Sequence, residues 1–239
     1  MITRFLIPAI AVAILALTSC SKNKKPECRL AHVVEVYTGG SNNIDFTYDD
    51  RNRISTLTYN SGSNVAFNYT YPGNSIVRAN IGNGGVITNI DSLLLNSSGL
   101  VESRYIREYG YSAKYVEHYN YNSSGEITSS TSQYDTDPIR TTVYTYDSGD
   151  LVKSESPDAV FTYTWYEDKQ PAPGDFTFLL QIIQVGGIYW KPSHLIKTMT
   201  RDNDTTTYTY TFDEDGKITT ITGQSNIGIT VFTNTFDCP

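Results

Sequence analysis

Few side chains in this sequence are placed to do covalent chemistry. The cysteines are Cys20, Cys28 and Cys238, and the histidines are His32, His118 and His194. No histidine stands within metal-ligand spacing of another or of a cysteine, and the G-x-S-x-G, phosphate-loop and dinucleotide patterns do not occur. Gly82-Asn83-Gly84-Gly85 lacks the lysine and helix that a phosphate loop needs and reads as a turn. Asp213-Glu214-Asp215-Gly216 begins like a calcium loop, but Ser225 stands where its twelfth-position glutamate belongs, so a hairpin turn is expected. The 25 acidic residues allow carboxylate pairs of the kind that hydrolyse glycosides. Most of them, as in Asp49-Asp50 and Asp135-Thr136-Asp137, fall in turns where solvation accounts for them. The sequence therefore points to no catalytic residue, metal or cofactor. The side chains best suited to recognition are Trp165, Tyr166, Tyr189 and Trp190, with His194 close by. Exposed aromatic rings stack on sugar faces and anchor protein interfaces. The competing expectation is that both tryptophans pack in the core.

Cys20 has a chemistry of its own. Arg4 precedes an apolar run from Phe5 to Leu17, shorter than the roughly 20 residues that span a bilayer. The run ends in Leu17-Thr18-Ser19-Cys20, which resembles a bacterial lipobox, whose cysteine thiol receives a diacylglycerol and whose freed amino group is acylated. Two or more chains anchor stably where one is marginal. On this reading residues 1–19 are a lipoprotein signal peptide and residues 20–29 a lipidated tether reaching about 35 Å at most. The mature chain carries 17 basic and 25 acidic residues, a net charge of −8. An acidic chain without a basic stripe excludes nucleic acid as a partner. Lys22, Lys24 and Lys25 stand beside the lipid as a solvated tether within reach of anionic head groups. Ser21 takes the position where an aspartate would signal inner-membrane retention, and no acid follows the cysteine as it does in surface-exported Bacteroides-type lipoproteins. The expected location is the periplasmic face of the outer membrane, with the cell surface as the alternative.

Export to an oxidising compartment permits a disulfide between Cys28 and Cys238, which would tie the first strand to the last. The alternative is two separate thiols, each buried in its strand.

The elements that must carry these residues are strands. The chain of 239 residues holds 19 Tyr and 30 Thr against ten Ala and is only 18% charged, a composition that fits pleated surfaces and excludes helical bundles, coiled coils and disorder. Segments such as Val143-Tyr144-Thr145-Tyr146 and Tyr208-Thr209-Tyr210-Thr211-Phe212 alternate with period two, as half-buried strands do. Between strands a turn recurs: Tyr48-Asp49-Asp50-Arg51-Asn52-Arg53-Ile54, Leu95-Asn96-Ser97-Ser98-Gly99-Leu100-Val101, Tyr121-Asn122-Ser123-Ser124-Gly125-Glu126-Ile127 and Phe212-Asp213-Glu214-Asp215-Gly216-Lys217-Ile218. Asp or Asn opens a type I turn by bonding the backbone two residues on, and the following Gly or Asn adopts the left-handed conformation of a bulge. At a spacing of about 25 residues, each period is one turn and two strands of ordinary length. Roughly ten strands or more are expected.

The Tyr-Asp-x-x-Gly-x-Ile order resembles the YD-type repeats of bacterial surface and toxin-shell proteins. With the lipobox, the chain is similar to a family of uncharacterised Bacteroides-type lipoproteins carrying a domain of unknown function. The resemblance covers most of residues 30–237 and implies a cell-envelope β protein with no established reaction; the matching residues form turns and carry over no catalytic role. Asp91-Ser92-Leu93 and Asp204-Thr205-Thr206 match the short O-glycosylation pattern of exported proteins of that type.

One insertion, residues 167–194, breaks the rhythm. Asp175 is placed to cap a helix through Leu179, Leu180, Ile182 and Ile183 that Gly186-Gly187 ends, although its β-branched content leaves a buried strand open. The expectation for residues 30–239 is thus one all-β domain, a long antiparallel meander of hairpins. It forms a curled sheet or half-barrel, covered by a short helix or plug near residues 175–187. Its expected role is a non-catalytic binding module, anchored in the outer membrane through its N-terminal lipid, for a glycan or an envelope protein. The alternatives are a purely structural envelope lipoprotein and a glycoside hydrolase-type enzyme.

Overall fold

The computed structural model describes residues 28–60, 64–109 and 114–238; the expected signal peptide and Cys20 lie outside them. The first half of the chain forms β1 (Arg29–Tyr37), β2 (Gly40–Tyr48), β3 (Ile54–Asn60), β4 (Asn64–Thr70), β5 (Ser75–Ile81), β6 (Ile87–Leu95), β7 (Val101–Glu108) and β8 (Lys114–Tyr121). The second half forms β9 (Ile127–Tyr134), β10 (Arg140–Asp147), β11 (Asp150–Glu155), β12 (Val160–Trp165), helix α1 (Phe176–Gln184), β13 (Ile196–Arg201), β14 (Asp204–Phe212), β15 (Ile218–Ser225) and β16 (Gly228–Asp237).

Every strand pairs antiparallel with its neighbours in sequence, as a meander requires. The sheet is neither an open curl nor a half-barrel, because β1 also pairs with β16 from Arg29 opposite Asp237 to Val36 opposite Val231. Closure satisfies the backbone groups that two free edges would leave unpaired. At one end of this seam Cys28 and Cys238 are joined in a disulfide, and the Arg29 guanidinium donates to Asp237 at 3.0 Å.

Strand alternation sorts the wall into two faces. Along β14, Thr205, Thr207, Thr209 and Thr211 are exposed while Tyr208 and Tyr210 point into the lumen; along β10, Thr145 is exposed and Tyr144 and Tyr146 turn inward. The outward threonines pair across strands, with hydroxyls 2.7 Å apart at Thr164–Thr198, 2.8 Å at Thr200–Thr205 and 3.0 Å at Thr211–Thr219. Such cross-strand pairs stabilise a sheet while keeping its face wettable.

The recurring turn behaves as its chemistry dictates. The Asp49 carboxylate accepts from the backbone N–H groups of Arg51 and Arg53, and Asn96, Asn122 and Asp213 accept in the same way from residues two and four positions on. The fourth residue of each turn is left-handed, with φ of 60° at Asn52, 74° at Gly99, 81° at Gly125 and 80° at Gly216. The register slips by one residue beside each turn. Asp213-Glu214-Asp215-Gly216 is one of these hairpin turns. Its Asp213 carboxyl is held below the usual carboxylate range by the hydrogen bond from the Lys217 side chain.

Because every connection from an even strand to the next odd one falls at the same end, all copies of the turn share one rim with the disulfide. Tyrosines reinforce this disulfide rim. The hydroxyls of Tyr48, Tyr71 and Tyr121 donate to the carbonyls of Leu30, Ile54 and Val101 at 2.7, 2.6 and 2.6 Å, each reaching the neighbouring strand. Burial pushes the Tyr48 and Tyr71 phenols up to about 12, so they remain donors across the physiological range.

Candidate binding site

Sixteen strands enclose a lumen wider than wall side chains can fill; barrels of this strand number leave a channel unless something occupies it. Here the segment between β12 and β13 folds inward from the disulfide rim. Helix α1 is apolar nearly all round, the signature of a helix surrounded by protein. Phe176, Leu179 and Ile182 pack against Ile44, Leu57, Ile221 and Phe232, while Val185 and Trp190 pack against Leu93, Val101, Ile127 and Leu151 on the other side of the lumen.

Polar groups fix the plug at four places. Asp175 caps α1 by accepting from the Phe178 N–H at 2.9 Å and from the Thr177 hydroxyl, and burial raises its carboxyl pKa against the lowering by these donors. Asn234 on β16 donates to the Gly174 carbonyl at 2.9 Å. Buried Gln181 uses its whole amide: Nε2 donates to the carbonyls of Thr177 and Trp190, and Oε1 accepts from the N–H groups of Tyr189 and Trp190. Where the segment leaves the lumen, buried Asp150 accepts from the N–H groups of Ser193 and His194, and its second oxygen lies 2.6 Å from His194 Nδ1.

The C-terminus of α1 meets the strongest electrostatics in the barrel. Arg78 on β5 and Arg104 on β7 both donate to Asp91 on β6, whose side chain is 2% exposed. The same guanidinium groups donate to the last helix carbonyls, Arg78 to Ile183 at 3.0 Å and to Gln184 at 3.2 Å, and Arg104 to Gln184 at 3.2 Å. Two cations and one anion thus face the negative end of a helix dipole and satisfy carbonyls that have no partner within the helix. Gly186 ends the helix at φ 86°, and a Cβ there would stand 2.9–3.2 Å from the Arg78 side chain.

The plug occupies the disulfide end and leaves a two-lobed cup toward the opposite rim. The outer lobe, about 600 Å³, lies between α1 and the wall of β1, β14, β15 and β16; Leu180, Ile183, Phe176, Tyr208 and Phe232 form its apolar surface. Its polar corner is Glu35, whose carboxylate accepts from Asn42 at 2.6 Å and from the Tyr59 hydroxyl at 2.9 Å. The inner lobe, about 320 Å³, lies between the returning segment and β10, β11 and β12. Leu180, Gln184 and Met199 line both lobes.

The aromatic residues singled out from sequence are not one exposed shelf. Trp190 is 3% exposed, packed edge-on to Trp165 at 5.7 Å and tilted against Tyr163 at 6.1 Å. Tyr189 stacks on Tyr119 at 5.4 Å, and these two neighbours in sequence, Tyr189 and Trp190, line the inner lobe. Trp165 is spent on the wall, its indole donating to the Leu151 carbonyl at 2.8 Å. Tyr166 donates to the Tyr208 carbonyl and carries the Lys169 ammonium 3.6 Å above its ring, while His194 pairs with Asp150; none of these three lines either lobe. Sequence reading missed Tyr144, Tyr163 and Met199. Their inward alternation was visible, but only the barrel pairing brings them beneath Trp190. Of the two glycosylation tripeptides, Asp91-Ser92-Leu93 sits inside β6 with Asp91 and Leu93 buried, whereas Thr205 is exposed on the outer wall.

These features define a sixteen-stranded, internally plugged antiparallel barrel. No family model and no curated protein matches the sequence. Among solved structures, a porin-like protein from Bacteroides uniformis aligns with a TM-score of 0.63 at 16% identity, covering 86% of this chain and 96% of that one. A second porin-like protein, from Bacteroides vulgatus, aligns with a TM-score of 0.46 at 10% identity, covering 88% and 99%. The first of these likenesses establishes the all-β barrel fold.

Proposed function

We propose that this chain is a lipid-anchored barrel of the bacterial outer membrane, facing the periplasm, that acts as a non-catalytic binding module with its ligand seated in the lumen cup. The cup carries this reading: an apolar concavity of about 600 Å³ with a small cluster of polar groups has the size and character of a small-molecule site. Its orientation fits the anchor. Cys28 lies at the plugged rim, and an anchor joined to the barrel there would leave the cup opening away from the membrane. Among the described residues, eight of the eleven exposed large apolar ones, including Tyr37, Val86, Tyr109, Ile139 and Ile227, crown that open rim, the end suited to meeting a ligand or partner.

Two observations favour binding over passage of solutes or catalysis. A membrane-spanning barrel turns an apolar band of about 25 Å outward and polar groups inward, whereas this wall has threonines outside and tyrosines, leucines and isoleucines inside. We therefore read the barrel as bathed in water and held by its lipid, not as a pore. Of the acidic side chains, Glu35 alone lines the outer lobe and none lines the inner one, so the cup itself holds no carboxylate pair for glycoside hydrolysis.

The test is binding of the neutral apolar dye N-phenyl-1-naphthylamine. A single saturable site is expected, weakened at least tenfold by Thr206→Trp, which fills the outer lobe from β14 without altering the plug. Equal binding by the variant, or no saturable binding at all, removes the cup as the site.

A further inference from the structure

We propose that the inner lobe is a subsite for a neutral saccharide unit, an inference that rests on the binding reading above and names the ligand class. Three features of the lobe carry it. First, Trp190 is a lining residue of the lobe, and its indole N–H, shielded from solvent just behind that lining, meets no acceptor in the protein. A buried donor left without a partner costs about 1–3 kcal/mol, and a ligand oxygen that draws the indole edge toward the lobe would recover that cost. Trp165, the other tryptophan, has its acceptor at 2.8 Å, so the open donor belongs to the lobe and is not a general property of the tryptophans here.

Second, the lobe offers aromatic rings and neutral hydroxyls together. Tyr144 and Tyr163 supply ring surface to the C–H face of a pyranose. The Tyr144 hydroxyl lies 3.1 Å from Ser130 and that of Tyr163 lies 3.3 Å from Ser154, which fixes both phenols while leaving each oxygen further capacity to donate or accept. Gln184 adds an amide at the boundary with the outer lobe.

Third, no charged side chain lines the lobe. A carboxylate or phosphate would enter without a counter-ion and pay its desolvation in full; a polyol exchanges its water for the groups just named. At about 30 Å³ per water, 320 Å³ holds roughly ten waters, close to the dozen heavy atoms of a hexose. Thr142 and Ser156 line both this lobe and a shallow pocket at the open rim, which gives the saccharide its way in.

Calorimetric titration of the mature protein with glucose, galactose, N-acetylglucosamine, maltose and glucuronate tests the proposal. At least one neutral sugar is expected to bind, and glucuronate to bind at least tenfold more weakly than glucose. Trp190→Phe, which keeps a ring and removes the N–H, should weaken the neutral sugar about tenfold. Thr142→Trp, at the mouth and clear of the buried layer, should abolish its binding with melting unchanged. Equal affinity of wild type and both variants overturns the proposal. So does the absence of any neutral-sugar binding while N-phenyl-1-naphthylamine still occupies the outer lobe, a result that leaves the cup standing. Failure of both dye and sugars overturns the two readings together.

Discussion

Asp91→Ala is expected to lower the unfolding free energy by about 3–5 kcal/mol, the cost of removing one partner from a buried ion pair and leaving its charge uncompensated. The effect belongs at the top of that range because one carboxylate serves two guanidinium groups, Arg78 with 6% and Arg104 with 14% of its side chain exposed. Urea denaturation followed by near-ultraviolet dichroism reads it directly. A companion variant separates charge from capping. Replacing Arg78, Asp91 and Arg104 together by Met, Leu and Met removes all three charges. A buried ionic triad exchanged for apolar residues is often near neutral, yet here the carbonyls of Ile183 and Gln184 would lose their donors as well. The triple variant should therefore recover part of the loss and retain a deficit of about 1–3 kcal/mol from the unpaired helix end. Full recovery would mean that the triad does not hold the plug.

Loss of the Cys28–Cys238 disulfide ranks second. The bridge closes a loop of 210 residues, and the chain-entropy contribution grows with the logarithm of that length, so about 3–5 kcal/mol should disappear in Cys28→Ser/Cys238→Ser. The β1–β16 ladder remains to hold the seam, hence the variant should still fold, with its transition moved to lower denaturant. A reducing agent should shift the wild-type midpoint to that of the variant and leave the variant where it is. Coincident midpoints for oxidised wild type and variant would place the seam's stability in its backbone pairing alone.

Much of this fold was legible in the sequence because its determinants are local. The Asp-x-x-Gly turns, the Tyr/Thr alternation and the helix opened by Asp175 and closed by Gly186 each act within a few residues, and all are present in the structure. Closure was not legible in the strand pattern, because a period-two strand reads the same in an open sheet and in a barrel. The distant partners Cys28 and Cys238 were the signal, and their pairing in effect joins the first strand to the last. The site was legible only in part. Proximity in sequence grouped Trp165, Tyr166, Tyr189, Trp190 and His194, yet the plug sends Tyr189 and Trp190 into the lumen and leaves the others at its rim. Nothing in the sequence joins Arg78, Arg104 and Asp91, the last legible only as part of a glycosylation tripeptide, because it is the register of β5, β6 and β7 that aligns them beneath the helix end.

A water-facing wall and a lipid anchor, the two parts of the proposed reading, make one joint demand on where the protein resides. Export of residues 21–239 behind an ordinary cleavable signal, without Cys20, would leave the barrel intact and remove only the proposed acyl chains. The expected result is recovery of this form from the periplasm as a detergent-free, oxidised protein that still binds the naphthylamine dye, while the native form stays with the outer membrane. A form without Cys20 that remains in the outer-membrane fraction and is released only by detergent would contradict it, because the wall itself would then be facing lipid.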